Sequence, residues 1–186
     1  MNIVLDLDET LVSVTSKPLQ KYDFEFMIGN IKYYAKKRPN LGLFLRYIFK
    51  NFATVSVWTA ATRPYAMHVI NNIMTKGQRS QLTHVLAREN LAMKRDGTLT
   101  KPLAKIFKSR SNRKGLEPNN TIMIDDKKSA TGDNLGNAII VPAWKGSAND
   151  KCLPKLVVIL DGILKLGHEL AFGSYKKEFT LKELTN

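Results

Sequence analysis

The sequence predicts an α/β fold in which a mostly parallel sheet sits between helical layers, three layers in all, and three observations point there. Short apolar runs recur and each stops at polar residues, the mark of strands buried on both faces. Between them lie segments with apolar residues three and four apart, which read as covering helices. One glycine-asparagine pair between two β-like segments interrupts this rhythm and reads as a hairpin.

Ile3-Val4-Leu5 forms the first strand and ends at Asp6. Residues 24–28 and 31–35 flank Gly29-Asn30 and form a β-hairpin insert. Leu41, Phe44, Leu45, Ile48 and Phe49 line one face of a helix beginning after Pro39. Residues 55–58 form a second buried strand, ending at Thr59. Pro64 suits the first turn of a helix running through Val69 and Ile73, and Pro102 does the same for residues 103–107. Val85-Leu86, residues 122–124 ending at Asp125, and residues 139–141 complete a five-stranded sheet. Residues 156–166 suit a last helix packed on the sheet, and residues 174–186 a mixed-charge, loosely ordered tail. Strand alternating with helix makes the sheet Rossmann-like.

A chain of 186 residues, 44% of them hydrophobic, supports one core, so the expectation is a single domain over 1–186. Its longest apolar stretch is broken by Asp161 and Lys165, and the N-terminus lacks a basic flank and cleavage site, which predicts a soluble chain with no membrane partner. With the first candidate residue at position 6, no regulatory domain is expected ahead of the site. Cys152 is the sole cysteine, so no intrachain disulfide forms and an intracellular location, cytoplasmic or nuclear, is the default. The net charge of +13 draws polyanions.

In open parallel sheets, ligands bind beyond the carboxyl ends of the strands. Asp6, Asp8, Thr59, Asp125 and Asp126 stand at or just past such ends and are expected to converge. Carboxylates crowded into one crevice repel, and a divalent cation relieves that repulsion. Oxygen ligands, with no histidine or cysteine pair at zinc spacing, point to Mg²⁺. A free aspartate has a pKa of about 3.9, so Asp6 is ionised and able to attack phosphorus unaided. Asp8 is placed to protonate a leaving alkoxide and later to activate water. Thr59 and Lys101 supply the hydroxyl and the cation that phosphoryl transfer needs around its phosphate.

Asp6-Leu7-Asp8-Glu9-Thr10 resembles the DxDxT signature of haloacid-dehalogenase-type phosphatases. Residues 4–12, Lys17-Pro18, the hairpin, Lys37-Arg38-Pro39, Trp58-Thr59-Ala60, Tyr65-Ala66, Arg88-Glu89, Lys101, Ile124-Asp125-Asp126 and Pro142-Ala143-Trp144 together resemble the small C-terminal-domain phosphatases, known also as the NLI-interacting-factor-like family. That resemblance implies Asp6 as nucleophile, Asp8 as acid and base, and Thr59, Ala60, Lys101 and Arg88 around the substrate phosphate. It implies Mg²⁺ at Asp6, Asp8 and Asp125, supported by Thr10 and Asp126. It further implies the absence of a large cap, with residues 11–38 as a small β insert, and a phosphoprotein or phosphopeptide substrate. Asp126 departs from the asparagine usual in the family, and Lys127-Lys128 from its usual Ser-Pro.

Taken singly, these residues have plainer readings. Acidic residues after a strand form turns and caps, and Asp125-Asp126 is a fair N-cap. The run Lys101, Lys105, Lys108, Arg110, Arg113 and Lys114 reads as a solvated helix and loop, or as a nucleic-acid patch. Lys36, Lys37 and Arg38 add surface charge to draw in an acidic or multiply phosphorylated chain. Phe24, Phe26, Tyr33 and Tyr34 read equally as a docking pocket or as hairpin packing, and His68, His84 and His168 as structural. Cys152 is no phosphatase nucleophile, because the Cys-x₅-Arg pattern needs arginine where Val158 stands. Three functions follow in order: a phosphoserine/phosphothreonine protein phosphatase, a nucleic-acid end phosphatase, and a catalytically weak phosphoprotein-binding module.

Overall fold

The computed structural model describes residues 1–165 apart from 111, 113 and 135, and only the backbone of 133. The tail at 174–186, His168, Arg113 and Leu166, where the sequence reading ended the last helix, lie outside the described residues.

In chain order the elements are β1 (Asn2–Leu5), β2 (Val12–Thr15), β3 (Phe24–Ile28), β4 (Ile31–Lys37), α1 (Leu41–Asn51), β5 (Thr54–Trp58), α2 (Arg63–Ile73), α3 (Lys76–Ser80) and β6 (Leu82–Leu86). There follow β7 (Ala92–Met93), β8 (Leu99–Thr100), α4 (Ala104–Phe107), β9 (Thr121–Asp125), β10 (Ala138–Ile140) and α5 (Cys152–Lys165). The main sheet is parallel throughout, in the order β10-β9-β1-β5-β6. All five strands expected from the apolar runs are present. β1 is the central strand, and successive strands are laid down on both sides of it, so the order reverses at its end.

Every residue of β1, β5 and β9 is buried, as strands covered on both faces must be. Alternate residues feed two cores. Ile3, Leu5, Val57, Ile122 and Ile124 join Leu41, Phe44, Ile48, Val69, Leu156 and Leu160 of α1, α2 and α5 in the larger one. Val4, Trp58 and Met123 meet Leu103, Ile106 and Leu116 in the smaller one. The second layer is therefore thin, built from the four-residue α4 and its flanking loop. Ser56 and Trp58 face this side, and the Ser56 hydroxyl, the Trp58 indole N–H and Nε2 of His84, the register partner of Ser56, lack protein partners.

The insert is a three-stranded antiparallel sheet, β2-β4-β3, with no large cap beside it. Gly29 takes a φ of 56° at the first turn position, where a side chain is strained. β2 and the small β7–β8 hairpin escaped sequence reading because runs of four and two residues carry no usable periodicity. The hairpin packs on α2: Phe26 stacks on Tyr33 at 5.3 Å and on His68 at 5.3 Å, and both Phe26 and Tyr33 meet Tyr65 edge-on. Phe24 and Phe26 are buried, so packing explains them.

Arg38 is not part of a surface patch. It is 1% exposed and its guanidinium makes four hydrogen bonds, two to the Asp150 carboxylate (2.8 and 2.9 Å), one to the Thr10 carbonyl (2.9 Å) and one to the Pro142 carbonyl (3.0 Å). Asp150 also accepts from the Cys152 N–H at the start of α5. Arginine suits this position because its planar fork satisfies a carboxylate bidentately while bonding other acceptors. No helix among the described residues is long and apolar enough to cross a membrane.

Candidate active site at the carboxyl end of the sheet

Strand register assembles this site. Leu5 pairs with both Ile124 and Val57, so Asp6 and Asp125 emerge side by side and Thr59 follows one residue beyond the neighbouring strand. The Asp6 N–H extends the ladder to the Ile124 carbonyl (3.0 Å), and the Thr59 N–H does the same to Leu86 (3.0 Å). Past β1 the chain turns sharply, with Glu9 at a φ of 58°, and Leu11 and Val12 bonding back to the Leu7 carbonyl. That left-handed residue, uncommon outside glycine and asparagine, brings Asp6, Asp8 and Thr10 around one point.

Asp6 is 5% exposed, and its two carboxylate oxygens have separate partners. Lys101 Nζ donates to Oδ1 at 2.6 Å, and the Thr10 hydroxyl donates to Oδ2 at 3.0 Å. The same ammonium donates to Asp125 Oδ2 at 2.7 Å, bridging the two carboxylates. Lys101 is buried, and its backbone is clamped: its N–H bonds Ala130, its carbonyl accepts from Asn134 Nδ2 (2.6 Å), and Asn134 Oδ1 accepts from Leu103 (2.9 Å). Burial pulls the Lys101 ammonium down, but Asp6 and Asp125 outweigh it and hold the pKa above the usual lysine value.

Asp8 lies across the cleft. Its Oδ1 accepts from Tyr65 at 2.5 Å and its Oδ2 from the Thr59 hydroxyl at 3.4 Å. Burial raises the Asp8 pKa to about 6, against the lowering effect of the Tyr65 bond. Asp126 is likewise raised to about 6, by burial and then by the charges of Asp6 and Asp125, and burial also raises Asp125. The Lys127 N–H fixes Asp125 Oδ1 at 2.8 Å. Ala60 presents its carbonyl to Arg88 Nε (3.0 Å), which ties Arg88 to the same rim.

Asp6, Asp8, Thr59, Ala60, Arg88, Lys101, Asp125 and Asp126 line one cleft of about 240 Å³, and Thr10 stands behind Asp6. A larger hollow of about 520 Å³ opens beside the starts of β5 and β6 and is lined by none of these residues. Two supports of the site had no role in the sequence reading: Tyr65 entered it only within the Tyr65-Ala66 stretch of the family resemblance, and Asn134 not at all. The aromatic Tyr65 sits on a helix face and Asn134 in a loop, and their roles arise only from what they meet.

Asp6, Asp125 and Asp126 present oxygens within 4.8 Å of one another. An all-carboxylate set of this size fits a hard divalent cation such as Mg²⁺ in donor chemistry. The Asp8 carboxylate is turned instead to Tyr65 and Thr59.

An aspartate at the end of the central strand, a second two residues on, a threonine past the neighbouring strand and a buried lysine joined to a late acidic pair define a haloacid-dehalogenase-type α/β protein. A family profile described as NLI interacting factor-like phosphatase matches residues 1–170, and the chain belongs to that family. It is 30% identical over 172 residues to CTD small phosphatase-like protein 3 of Caenorhabditis elegans, covering 90% of this chain and 56% of the relative. It is 29% identical over 167 residues to CTD small phosphatase-like protein 2 of Dictyostelium discoideum, covering 88% and 27%. The chain thus spans only part of the length of these relatives. The structure of the RNA polymerase II CTD phosphatase Fcp1 superposes with a TM-score of 0.58 at 22% identity, over 91% of this chain and 51% of that one, a likeness of fold.

Proposed function

We propose that the chain is a Mg²⁺-dependent phosphomonoesterase that works through an aspartyl-phosphate on Asp6 and acts on phosphoserine or phosphothreonine in protein. The observation that carries the reading is the division of labour between two carboxylates on one turn, Asp6 held by a cation and Asp8 raised to about 6.

An Asp6 oxygen attacks phosphorus while Lys101 and Thr10 keep the carboxylate oriented. The bond to the ester oxygen breaks, and protonated Asp8 delivers its proton to that oxygen as the alcohol leaves. Asp8, now a carboxylate, takes a proton from water as the water attacks the aspartyl-phosphate, which returns Asp6 and releases phosphate. A pKa near 6 keeps about a tenth of Asp8 protonated at pH 7 and leaves it a competent base for the second step. Thr59 and Lys101 face the phosphoryl group, with Ala60 and Arg88 at its edge. Asp6, Asp125 and Asp126 would hold the metal, and the Asp8 carboxyl, turned to Tyr65 and Thr59, is kept for proton transfer. Mg²⁺ bound there neutralises phosphoryl oxygen charge.

The protein-substrate reading rests on size and openness. Pockets that enclose small ligands run to about 300–1,000 Å³, whereas this uncapped cleft holds about 240 Å³, room for a phosphorylated side chain with its polypeptide outside. The basic run supports a nucleic-acid substrate less well, because Lys101 is buried at the site and Lys105 caps the Asn90 and Leu91 carbonyls. The one cysteine is buried and free, which suits a reducing compartment.

Phosphate release from an aryl phosphate and a phosphoserine peptide, with Mg²⁺ or EDTA, tests the reading. Metal-dependent release that falls about 10⁴-fold or more in Asp6→Asn is expected. Undiminished release by that variant overturns the mechanism.

A further inference from the structure

The cations of the cleft fall into two kinds. Lys101 is spent between Asp6 and Asp125. Arg88 and Lys127 line the same cleft but are exposed. Among the described residues neither takes part in an ion pair: Glu89, beside Arg88, is committed to Arg63 at 3.0 Å. The Arg88 guanidinium is held by its Nε bond to the Ala60 carbonyl, and the backbone of each is tied to the rim, Arg88 by its N–H bond to Ala61 and Lys127 by its N–H bond to Asp125.

Strand order sets the sides from which they approach the reaction. Asp125, Asp6, Trp58 and Leu86 stand at one level across β9, β1, β5 and β6. Past the strand ends, Lys127 follows β9, Asp8 follows β1 and Arg88 follows β6, and all three line the cleft. β9 lies on one side of β1 and β6 on the other, so a cation follows a strand on either side of the proton donor, the two strands about 14 Å apart at the usual sheet spacing. Exposed charges beside the donor of the leaving-group proton are placed to meet the alcohol side of the ester, which is the peptide, Arg88 from the phosphoryl edge it lines and Lys127 from the other side. A chain crossing the cleft places residues two apart about 7 Å from each other, so a group two residues from the reacting one comes within reach of Lys127 or Arg88.

We propose, resting on the protein-phosphatase reading, that Lys127 and Arg88 form a flanking anion site that selects peptides carrying a second phosphate close to the one removed. A dianionic phosphate suits two exposed cations without ion-pair partners better than a single carboxylate does. A plainer role for Lys127 is to offset the charge of Asp126, whose pKa it lowers. The two roles differ in outcome: an offsetting lysine affects every substrate alike, whereas a flanking site affects only substrates with the second charge.

The experiment compares kcat/KM for one serine peptide phosphorylated once and the same peptide phosphorylated also two residues before or after, in wild type, Lys127→Gln and Lys127→Gln/Arg88→Gln. Peptide affinity for the Asp6→Asn protein is measured in parallel, so the binding preference is read even where turnover is absent. A preference of about tenfold for a doubly phosphorylated peptide at low salt is expected, weakening as salt rises. It should fall to about threefold in Lys127→Gln and to near one in the double variant. A wild-type ratio near one in both measurements overturns the proposal, as does a ratio that the substitutions leave intact. A 3′-phosphorylated oligonucleotide that outcompetes the doubly phosphorylated peptide overturns it in favour of nucleic acid. No turnover of any peptide, with the affinity ratio preserved, overturns the hydrolytic reading and leaves this one standing.

Discussion

Two clusters of buried charge meet at Thr10. Its hydroxyl donates to Asp6 and its carbonyl accepts from Arg38, so one residue touches both the Lys101 cluster and the Arg38–Asp150 pair. The ingredients are alike and the balance is not. Arg38 and Asp150 match one charge with one charge, and the guanidinium makes four of its five possible hydrogen bonds. Burial by itself would raise Asp150, but the Arg38 bonds outweigh it and hold the carboxyl below its usual range. At the sheet end, Asp6 and Asp125 share one buried cation with Asp8 and Asp126 in the same cleft, and burial, with the neighbouring Asp6 charge added, pushes three of these carboxyls up. A balanced pair fixes structure, and an unbalanced one holds a demand for a cation and a proton, which is what phosphoryl transfer uses.

That contrast is open to direct attack. The largest expected effect belongs to Asp8→Asn: kcat/KM for an alkyl phosphate falls about 10²–10⁴-fold, and the first-turnover burst of alcohol from an aryl phosphate, whose leaving group needs no proton, falls far less, although loss of the base for the second step slows its steady-state turnover. The same variant should stabilise the metal-free protein. A carboxyl with a raised folded pKa contributes most below its unfolded value of about 4 and loses that contribution as pH rises through about 6. The gain is therefore absent at pH 4 and reaches on the order of 1–3 kcal/mol at pH 8 in urea unfolding with EDTA. A gain of equal size at both pH values would break the assignment.

Lys101→Met should lower turnover about 10²–10³-fold and destabilise the metal-free fold, because it leaves Asp6 and Asp125 buried without their cation. Thermal melts should show Mg²⁺ restoring more of the melting temperature than it adds to wild type. Equal Mg²⁺ shifts in both proteins would break the comparison.

Arg38→Met is expected to cost about 3–5 kcal/mol of stability, since Asp150 is left unpaired, while turnover per folded molecule stays within about tenfold. Chemical denaturation and active-site titration separate the two quantities. A loss of turnover matching Lys101→Met would make Arg38 part of the site through Thr10. Tyr65→Phe should have the smallest effect: it removes the Asp8 hydrogen bond but keeps the ring between Phe26 and Tyr33, and alkyl phosphate turnover falls a few-fold, with aryl phosphate turnover nearly unchanged.

Much of the fold was legible because its signals are local. Five short apolar runs announce strands buried on both faces, and Gly29-Asn30 announces a hairpin without reference to anything distant. The residues at the run ends could be named for the same reason: a chain leaving a parallel strand must carry its next polar side chain to the sheet's carboxyl edge. Arg38 was misread as surface charge because a basic residue beside Lys36 and Lys37 looks solvated until its partner, 112 residues away, is known. β2 and the β7–β8 hairpin were too short to show a period.

By itself the sequence determined the parallel α/β sheet, the insert and the set of residues that gather at the edge, all of them consequences of periodicity and chain direction. Only the tertiary structure decided which carboxylate faces Lys101 and which faces Tyr65, that Asn134 clamps the lysine's backbone, and that Lys127 and Arg88 line the cleft with Asp8. Those relations join side chains dozens of residues apart, and strand register, set by the packing of the whole core, is the physical variable that brings them together.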